Sequence, residues 1–158
     1  MDIRQATLDD AASACHVLRR SIKELCVSDH GNDPTILRQW LANKTPNIVS
    51  SWIAKPGTAV LVAVERDTIL GVGSVTNGGE ITLNYVSPDA RFRGISRALI
   101  GALEDRAMQW GNARCHLVST VTARRFYRSA GYTDHGPPLS KFAMSSYPMS
   151  KALVQGSA

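Results

Sequence analysis

The middle of the chain consists of three short apolar runs separated by turn residues. Residues 59–65, 68–76 and 81–86 are rich in valine, isoleucine and leucine, and residues 77–79 read Asn-Gly-Gly. β-Branched runs bounded by such turn residues are typical of strands that pair in hairpins. The pattern therefore predicts three consecutive strands joined by two tight turns.

A helical period replaces this pattern on either side of the strands. Apolar residues recur every three to four positions over residues 8–25, 95–110 and 121–130, which predicts amphipathic helices there. A further helix is predicted from the Asp33-Pro34 pair to about residue 43, because a capping aspartate followed by a first-turn proline is a common helix start. Residues 44–57 contain two prolines and are predicted to form a loop.

The remaining apolar segments complete an alternating α/β layout. Further strands are predicted at residues 3–6, 115–118, 132–134 and 142–149. We expect fraying from residue 154 onward. With 158 residues and no internal repeat or linker, residues 1–158 are expected to form a single domain with its own core.

Composition limits the classes of partner. Lysine and arginine outnumber aspartate and glutamate by 18 to 13, so the net charge is +5. This excess would suit a polyanionic cofactor or an acidic substrate, but it also suits an ordinary solvated surface. Basic blocks interleaved with aromatic residues, which would indicate a nucleic-acid partner, are not found. The sequence shows neither a signal peptide nor a bilayer-spanning run, so we expect a soluble, cytoplasmic protein without a membrane partner.

The three cysteines do not form a recognisable framework. Cys15, Cys26 and Cys115 are an odd number at unclustered spacings, which favours reduced thiols in a cytoplasm. The adjacent Cys115 and His116 would point to opposite faces of a strand, so they do not make a metal site. The expectation is that no metal is bound.

The most distinctive segment is a basic turn between a strand and a helix. The strand at residues 81–86 is followed by Arg-Phe-Arg-Gly-Ile-Ser at residues 91–96, and Arg97 lies in the helix after it. A helix start leaves backbone N–H groups free at the positive end of the helix dipole, which suits a phosphate or pyrophosphate. Gly94 would let the backbone approach the anion closely. Neither the dinucleotide-binding nor the nucleoside-triphosphate glycine pattern is present at this junction.

The order of residues in and after this turn matches a known family. The run Val86-x-Pro88-x-x-Arg91-x-x-Gly94-Ile95-Ser96-x-x-Leu99 resembles the coenzyme A signature, [RQ]-x-x-G-x-[GA], of the GNAT superfamily of acetyl-CoA-dependent N-acetyltransferases. Residues 123–132, Ala-Arg-Arg-Phe-Tyr-Arg-Ser-Ala-Gly-Tyr, look like the second segment of that family, A-x-x-F-Y-x-x-x-G-[FY]. Phe92 and Ser96 stand where the family usually has glycine.

The resemblance implies a fold and a cofactor site. The fold would be α/β (α+β), a GNAT-like acyl-CoA N-acyltransferase with a mixed central sheet splayed after the fourth strand and helices on both faces. A bulge near residues 84–86 would free backbone N–H groups for the acetyl-CoA thioester. The residues expected to bind the cofactor are Tyr85, Val86, Arg91, Phe92, Arg93, Gly94, Ile95, Ser96 and Arg97.

The resemblance also suggests an acid and a base for acyl transfer. Tyr127 corresponds to the family's tyrosine near the cofactor sulfur and would protonate the leaving thiolate, although it also fits a buried helix stripe. Glu80 has the spacing from Arg91 of the base glutamate in the histone-acetylating branch. Ordered water, His116 and His30 are alternative proton acceptors.

The acceptor site is the least determined part of the hypothesis. The fold implied by the resemblance would place residues 26–52 along it, with Asp29, His30 and Trp40 as candidate contacts to an amine. A turn aspartate and buried aromatic residues are equally ordinary interpretations. The sequence does not separate a small amine, an amino acid, an aminoglycoside or a protein N-terminus as acceptor.

Three functions are consistent with the sequence. The leading hypothesis is an N-acetyltransferase that moves an acetyl group directly from acetyl-CoA to a primary amine in a ternary complex. A non-catalytic acyl-CoA-binding module and a basic phosphate-binding interaction domain are the alternatives. Self-association as a homodimer is left open.

Overall fold

The computed structural model of the protein describes residues 1–154. The fraying predicted at the end of the chain concerns, apart from Val154, residues outside this range. The strands are β1 (Asp2–Gln5), β2 (Thr58–Glu65), β3 (Thr68–Thr76), β4 (Ile81–Val86), β5 (Arg114–Ser119), β6 (Thr133–Asp134), β7 (Leu139–Lys141) and β8 (Met144–Ala152). The helices are α1 (Ala11–Leu25), α2 (Val27–His30), α3 (Pro34–Leu41), α4 (Pro46–Ala54), α5 (Ile95–Gln109) and α6 (Val121–Ser129).

The strands form two sheets that meet at one point. Strands β1-β2-β3-β4 make an antiparallel meander, and β5, β8 and β6 make a second sheet to which β7 adds as a hairpin with β8. A single parallel bridge between Glu80 and His116 joins β4 to β5, and the His116 N–H donates to the Gly79 carbonyl at 3.0 Å. Beyond this bridge the two strands separate, which confirms the mixed sheet splayed after the fourth strand.

Helices cover both faces of the first sheet. On one face α5 lies so close to β3 that a Cβ added at Gly71 would stand 2.8 Å from Leu99, and one added at Gly73 would stand 2.9 Å from Leu103. On the other face α1 and α4 pack through Leu18 and Val49 against the valines of β2 and β3. The two glycines of β3 therefore set the depth at which α5 sits.

The segment at residues 44–57, predicted to be a loop, is mostly helix α4. The Thr45 hydroxyl accepts the Ile48 N–H at 3.3 Å, and Pro46 occupies the first turn. Proline is tolerated there because its missing N–H would have no helical partner. The loop prediction was wrong because Pro46 starts a helix instead of breaking one.

The bulge of β4 lies earlier than predicted. Ser74 pairs with Leu83 and Val75 with Ile81, so Thr82 is the extra residue, whereas residues 84–86 keep a regular register with β3. The bulge turns Ile81 toward the α5 side of the sheet and Leu83 toward the α1 side. The expectation of a bulge at residues 84–86 was therefore wrong.

Candidate active site

A cavity of about 320 Å³ fills the wedge between β4 and β5. The C-terminal end of α1, the start of α5 and the helix α6 close its sides. Of the residues predicted to act on the cofactor, those that line it are Tyr85, Val86, Arg91, Phe92, Ser96 and Tyr127. The first turn of α5 and the predicted acid thus face one continuous space.

The free edge of β4 presents backbone donors to this wedge. The Ser87 N–H donates to the Leu70 carbonyl of β3 at 2.8 Å. Because hydrogen bonds to one neighbour come from alternate residues of a strand, the Tyr85 N–H also faces β3, and those of Asn84 and Val86 face the wedge. Regular pairing, without a bulge, therefore suffices to free two N–H groups beside the cavity.

The turn before α5 holds a row of unpaired backbone donors. Gly94 precedes the helix with a φ of +75°, and the first helical bond is from Ala98 N–H to the Gly94 carbonyl at 3.0 Å. The N–H groups of residues 92–97 have no hydrogen-bond partner among residues 1–154. Phe92 has a φ of +63° and its side chain is 92% exposed. A left-handed phenylalanine is strained, which explains why glycine is usual at this position.

The three arginines around the turn have different surroundings. Arg93 pairs with Glu65 at 2.6 Å, and Arg97 donates to the Ser129 hydroxyl at 2.9 Å. The Arg91 guanidinium lies 4.6 Å from the centre of the Phe92 ring and is the only one of the three that lines the cavity. Arg91 is therefore the cation available inside the wedge.

Tyr127 and Asn84 are two neighbouring polar residues of the wedge lining. Burial raises the pKa of Tyr127 to about 12, and hydrogen bonding from the Asn84 side chain partly opposes this shift. The Asn84 Oδ1 is buried and has no hydrogen-bond partner in the described part of the chain. The sequence predicted a role for the backbone at Asn84 but not for its side chain, although a lone amide in the apolar run Ile-Thr-Leu-Asn-Tyr-Val is the signal that could have indicated one.

The cysteines are all buried and protonated. Burial raises the pKa of Cys26, which lines the wedge, to about 12, and that of Cys115 to about 11. Burial also raises the pKa of Cys15. Since the thiolate is the nucleophilic form, none of these thiols is activated at neutral pH.

The predicted base candidates do not face the wedge. Glu80 is exposed at the start of β4, and His116 is exposed on β5. His30 is buried, with Nδ1 accepting the Asn32 N–H at 2.9 Å and Nε2 lying 2.9 Å from the Ile22 carbonyl. Among the described residues, no carboxylate or imidazole lines the cavity.

The predicted acceptor residues also lie outside the cavity. The Asp29 carboxylate accepts the Val121 N–H at 2.7 Å at the start of α6. Trp40 is buried against the His30 ring, with 6.2 Å between ring centres. The geometry gives Asp29 a capping role, and it makes His30 and Trp40 packing residues. It lends no support to the predicted contacts with an amine.

A second cavity of about 290 Å³ lies on the α4 side of β4 and shares Thr82 and Leu83 with the wedge. Its other lining residues are Asn43, Lys44, Trp52, Lys55, Thr58, Ser74, Thr76 and Lys141. Burial and the nearby Lys141 lower the pKa of Lys44 to about 8. The sequence did not indicate this cavity, because residues 44–57 were predicted to be a loop.

Within residues 1–154, no helix has the length and apolar character needed to span a bilayer. In the same range, no cluster of three histidine, cysteine, aspartate or glutamate side chains could hold a metal ion.

Solved structures share this fold over nearly the whole chain. A GCN5-related N-acetyltransferase from Rhodopseudomonas palustris is 23% identical with a TM-score of 0.85, covering 96% of this chain and 95% of its own. PaiA N-acetyltransferase from Thermoplasma acidophilum, solved in complex with coenzyme A, is 18% identical with a TM-score of 0.84, covering 96% and 98%. Aminoglycoside 6'-N-acetyltransferase from Enterococcus faecium is 14% identical with a TM-score of 0.73, covering 100% of each chain.

Comparison with sequence families gives the assignment. No curated protein matches the sequence. The model of the acetyltransferase (GNAT) domain matches residues 27–153, which include β4, β5, the turn before α5 and helix α6. The chain therefore belongs to the GNAT acetyltransferase family and is an acyltransferase.

Proposed function

We propose that the protein transfers an acetyl group from acetyl-CoA to a primary amine within a ternary complex. One observation carries the proposal: the free edge of β4, the turn with unpaired N–H groups at residues 92–97 (through Phe92 and Ser96) and Tyr127 border one cavity. Backbone donors at a helix start bind phosphate, and a strand edge can pair with an extended amide chain. These are the features that a pyrophosphate joined to a pantetheine arm requires.

The backbone would hold the cofactor along the wedge. The N–H groups of residues 92–97 would bind the pyrophosphate, with Arg91 adding a positive charge from inside the cavity. The outward N–H groups of Asn84 and Val86 would pair with the pantetheine arm and stabilise the oxyanion formed at the thioester carbonyl. The likeness to PaiA N-acetyltransferase, which was solved with coenzyme A, supports this placement.

Tyr127 would give its proton to the departing thiolate. A phenol with a pKa of about 12 is a weak acid toward a thiolate whose conjugate thiol has the ordinary pKa of about 8.5. Burial, however, disfavours the anionic form of both groups. The apolar surroundings that raise the pKa of Tyr127 would therefore also raise the pKa of the coenzyme A thiol. The Asn84 amide would orient the Tyr127 hydroxyl and stabilise the phenolate as it forms.

Water would accept the proton that the amine loses. The described lining of the wedge contains no carboxylate or imidazole, and Glu80 lies exposed at the closed end of the wedge. An amine must be neutral to attack, so the rate is expected to rise with pH until the free amine dominates. Glu80 remains the carboxylate that could assist this water.

Direct transfer is proposed because every cysteine thiol is protonated. The test combines two measurements. Release of coenzyme A is followed with acetyl-CoA and a panel of primary amines, and the intact protein is weighed by mass spectrometry after incubation with acetyl-CoA alone. We expect amine-dependent release and no stable acetyl adduct. A stoichiometric, amine-labile acetyl group on Cys26 would refute direct transfer, and absence of acetyl-CoA binding would refute the proposed function.

A further inference from the structure

Lys44 is a buried residue whose ammonium group opens into the second cavity, where it has no counterion among the described residues. The residue is 8% exposed, and its side chain forms neither an ion pair nor a hydrogen bond within residues 1–154. A poorly hydrated charge is stabilised by pairing, so an anion that enters the cavity would be bound favourably by this ammonium group. The lowered pKa of Lys44, about 8, is consistent with a site that has no anion of its own.

The backbone around Lys44 is held firmly in place. One Arg19 nitrogen donates to the Lys44 carbonyl at 2.9 Å and to the Leu41 carbonyl at 3.1 Å. The Cys15 thiol also donates to the Lys44 carbonyl, at 3.2 Å. These bonds fasten the connection between α3 and α4 onto α1. The ammonium group is therefore presented by a fixed backbone and not by a loose loop.

The cavity around Lys44 has the chemistry of an anion site. Lys55 and Lys141 add two more cations, and no carboxylate belongs to its described lining. Hydroxyl donors come from Thr58, Ser74, Thr76 and Thr82, and an indole ring comes from Trp52. Lysine and hydroxyl groups together suit a carboxylate or a phosphate.

The position of the cavity connects it to the proposed reaction. It shares the lining residues Thr82 and Leu83 with the wedge and lies on the side of β4 away from α5. A molecule with its amine in the wedge could therefore reach the lysines with a second group. We propose that this cavity binds the negatively charged group of the acceptor, so that the acceptor is an amine carrying a carboxylate or a phosphate. This inference rests on the proposed acetyl transfer to an amine.

The same charges disfavour a polycationic acceptor. A molecule with several ammonium groups would face three lysines here and Arg91 in the wedge, without a lining carboxylate in the described part of either cavity. Like charges placed close together in a partly dry site repel each other strongly. An aminoglycoside is therefore a poor acceptor on this reasoning, although the fold is shared with aminoglycoside 6'-N-acetyltransferase.

Matched amine pairs test the inference through turnover. Phenethylamine is compared with phenylalanine, and ethanolamine with O-phosphoethanolamine, so that the first pair tests a carboxylate and the second a phosphate. We expect kcat/KM to favour the anionic member of at least one pair by about 10- to 100-fold, the range of a hydrogen bond to a charged group. Lys44→Met should remove this preference through KM, and Lys23→Met, which changes an exposed lysine outside both cavities, should retain it.

A binding measurement tests the site without acetyl transfer. Protein saturated with coenzyme A, which would cover the turn before α5, is melted with inorganic phosphate or acetate and with chloride at equal ionic strength. We expect phosphate or acetate to raise the Tm of the parent and not that of Lys44→Met. Methionine should be tolerated because it replaces an unpaired charge with an apolar chain of similar length.

The outcomes separate the two proposals. Equal Tm shifts in the parent and Lys44→Met would overturn the anion site whether or not any amine is acetylated. A preference for the neutral amine in both pairs would also overturn the anion site. An equal loss of kcat for neutral and anionic amines in Lys44→Met would overturn it too, because Lys44 would then act as a proton acceptor. Failure to bind or turn over acetyl-CoA would instead remove the proposed function and leave the anion measurement valid.

Discussion

The carboxylate of Asp29 caps helix α6 through Thr122 and its neighbour. It accepts hydrogen bonds from the Val121 N–H at 2.7 Å and the Thr122 N–H at 3.2 Å. It also accepts a hydrogen bond from the Thr122 hydroxyl. The carboxylate lies at the positive end of the dipole of α6, where negative charge is stabilising. This contact joins α2 to the helix that carries Tyr127.

Removing this cap should destabilise the protein and lower its rate of acetyl transfer. Asp29→Ala is expected to lower the free energy of unfolding by about 1–2 kcal/mol, the usual cost of losing a helix cap. The turnover of the folded fraction should also fall, because Tyr127 would no longer be held at a fixed distance from β4. Denaturant unfolding and initial rates measure the two effects.

Asp33→Ala provides the matched control for Asp29→Ala. Asp33 caps α3 by accepting the Thr35 N–H at 2.8 Å and the Ile36 N–H at 3.2 Å, and it lines neither cavity. A similar loss of stability with normal turnover is expected. If Asp29→Ala instead raised the acceptor KM at unchanged stability, Asp29 would be a substrate contact, as the sequence suggested.

Gly94→Glu should abolish coenzyme A binding without unfolding the protein. A Cβ at Gly94 would have no atom within 4 Å, so the fold can accommodate a side chain, but the new carboxylate would stand among the N–H groups proposed to bind pyrophosphate. Calorimetric titration with coenzyme A is the measurement. We expect heat from the parent and none from the variant.

Gly111→Glu controls for backbone strain at the other end of α5. Gly111 has a φ of +88°, close to the +75° of Gly94, and a Cβ there would also meet no atom within 4 Å. Both variants carry the same left-handed strain, of roughly 1–2 kcal/mol. Equal affinity for coenzyme A in the two would show that the turn before α5 is not the pyrophosphate site.

Tyr127→Phe should lower kcat by about 10- to 1,000-fold, within or just below the usual contribution of a positioned acid. The affinity for coenzyme A should stay within a few-fold, since the ring keeps its edge contacts with Phe126 and Tyr132. Because the pKa of Tyr127 is about 12, its hydroxyl is protonated over the pH range of the assay. The decrease in kcat should therefore not vary with pH. An unchanged kcat, with chemistry limiting the rate, would leave Tyr127 as a packing residue.

Glu80→Gln tests whether a carboxylate assists the proton-accepting water. Glu80 is exposed and lines neither cavity, so we expect kcat and its pH profile to match those of the parent. A rate–pH profile displaced to higher pH would assign the base to Glu80. The same measurement on His116→Gln, across the bridge on β5, shows whether any such effect is specific to the carboxylate.

Local patterns explain how much of this arrangement the sequence could reveal. The turn before α5 was found because its strand, glycine and helix are adjacent in the chain and their spacing is itself the signal. Tyr127 was found through a resemblance, since its helix stripe alone fits packing equally well. The central strands were predicted because β-branched apolar runs with turn residues between them leave little choice of structure.

Contacts between distant segments explain what the sequence concealed. Asp29 and Val121, which it caps, are 92 positions apart in the sequence, so no local pattern predicts this contact. The second cavity, around Lys44, is formed by α4, three strands and the β7–β8 hairpin. Only the folded structure shows that Lys44 has no partner among the described residues. Pro46 was misinterpreted because a proline that begins a helix and one that ends it look alike without their neighbours.

The pH dependence of stability gives a last test of the state of Lys44. Its pKa is about 8 when folded and near 10.5 when unfolded, so between these values the unfolded chain binds more protons. The free energy of unfolding therefore rises as the pH increases from about 8 to 10.5. Below pH 8 the full cost of keeping Lys44 charged in the folded protein is present.

Other groups titrate in this window, including Cys115, but they are common to the parent and Lys44→Met. The difference between the two proteins, measured by urea unfolding in buffers without phosphate or carboxylate, should therefore isolate Lys44. We expect Lys44→Met to be the more stable protein at pH 7, by an amount on the order of 1–3 kcal/mol, and this advantage to shrink toward pH 10. A difference that stays constant with pH would mean that Lys44 has an ordinary pKa and is solvated in the folded protein.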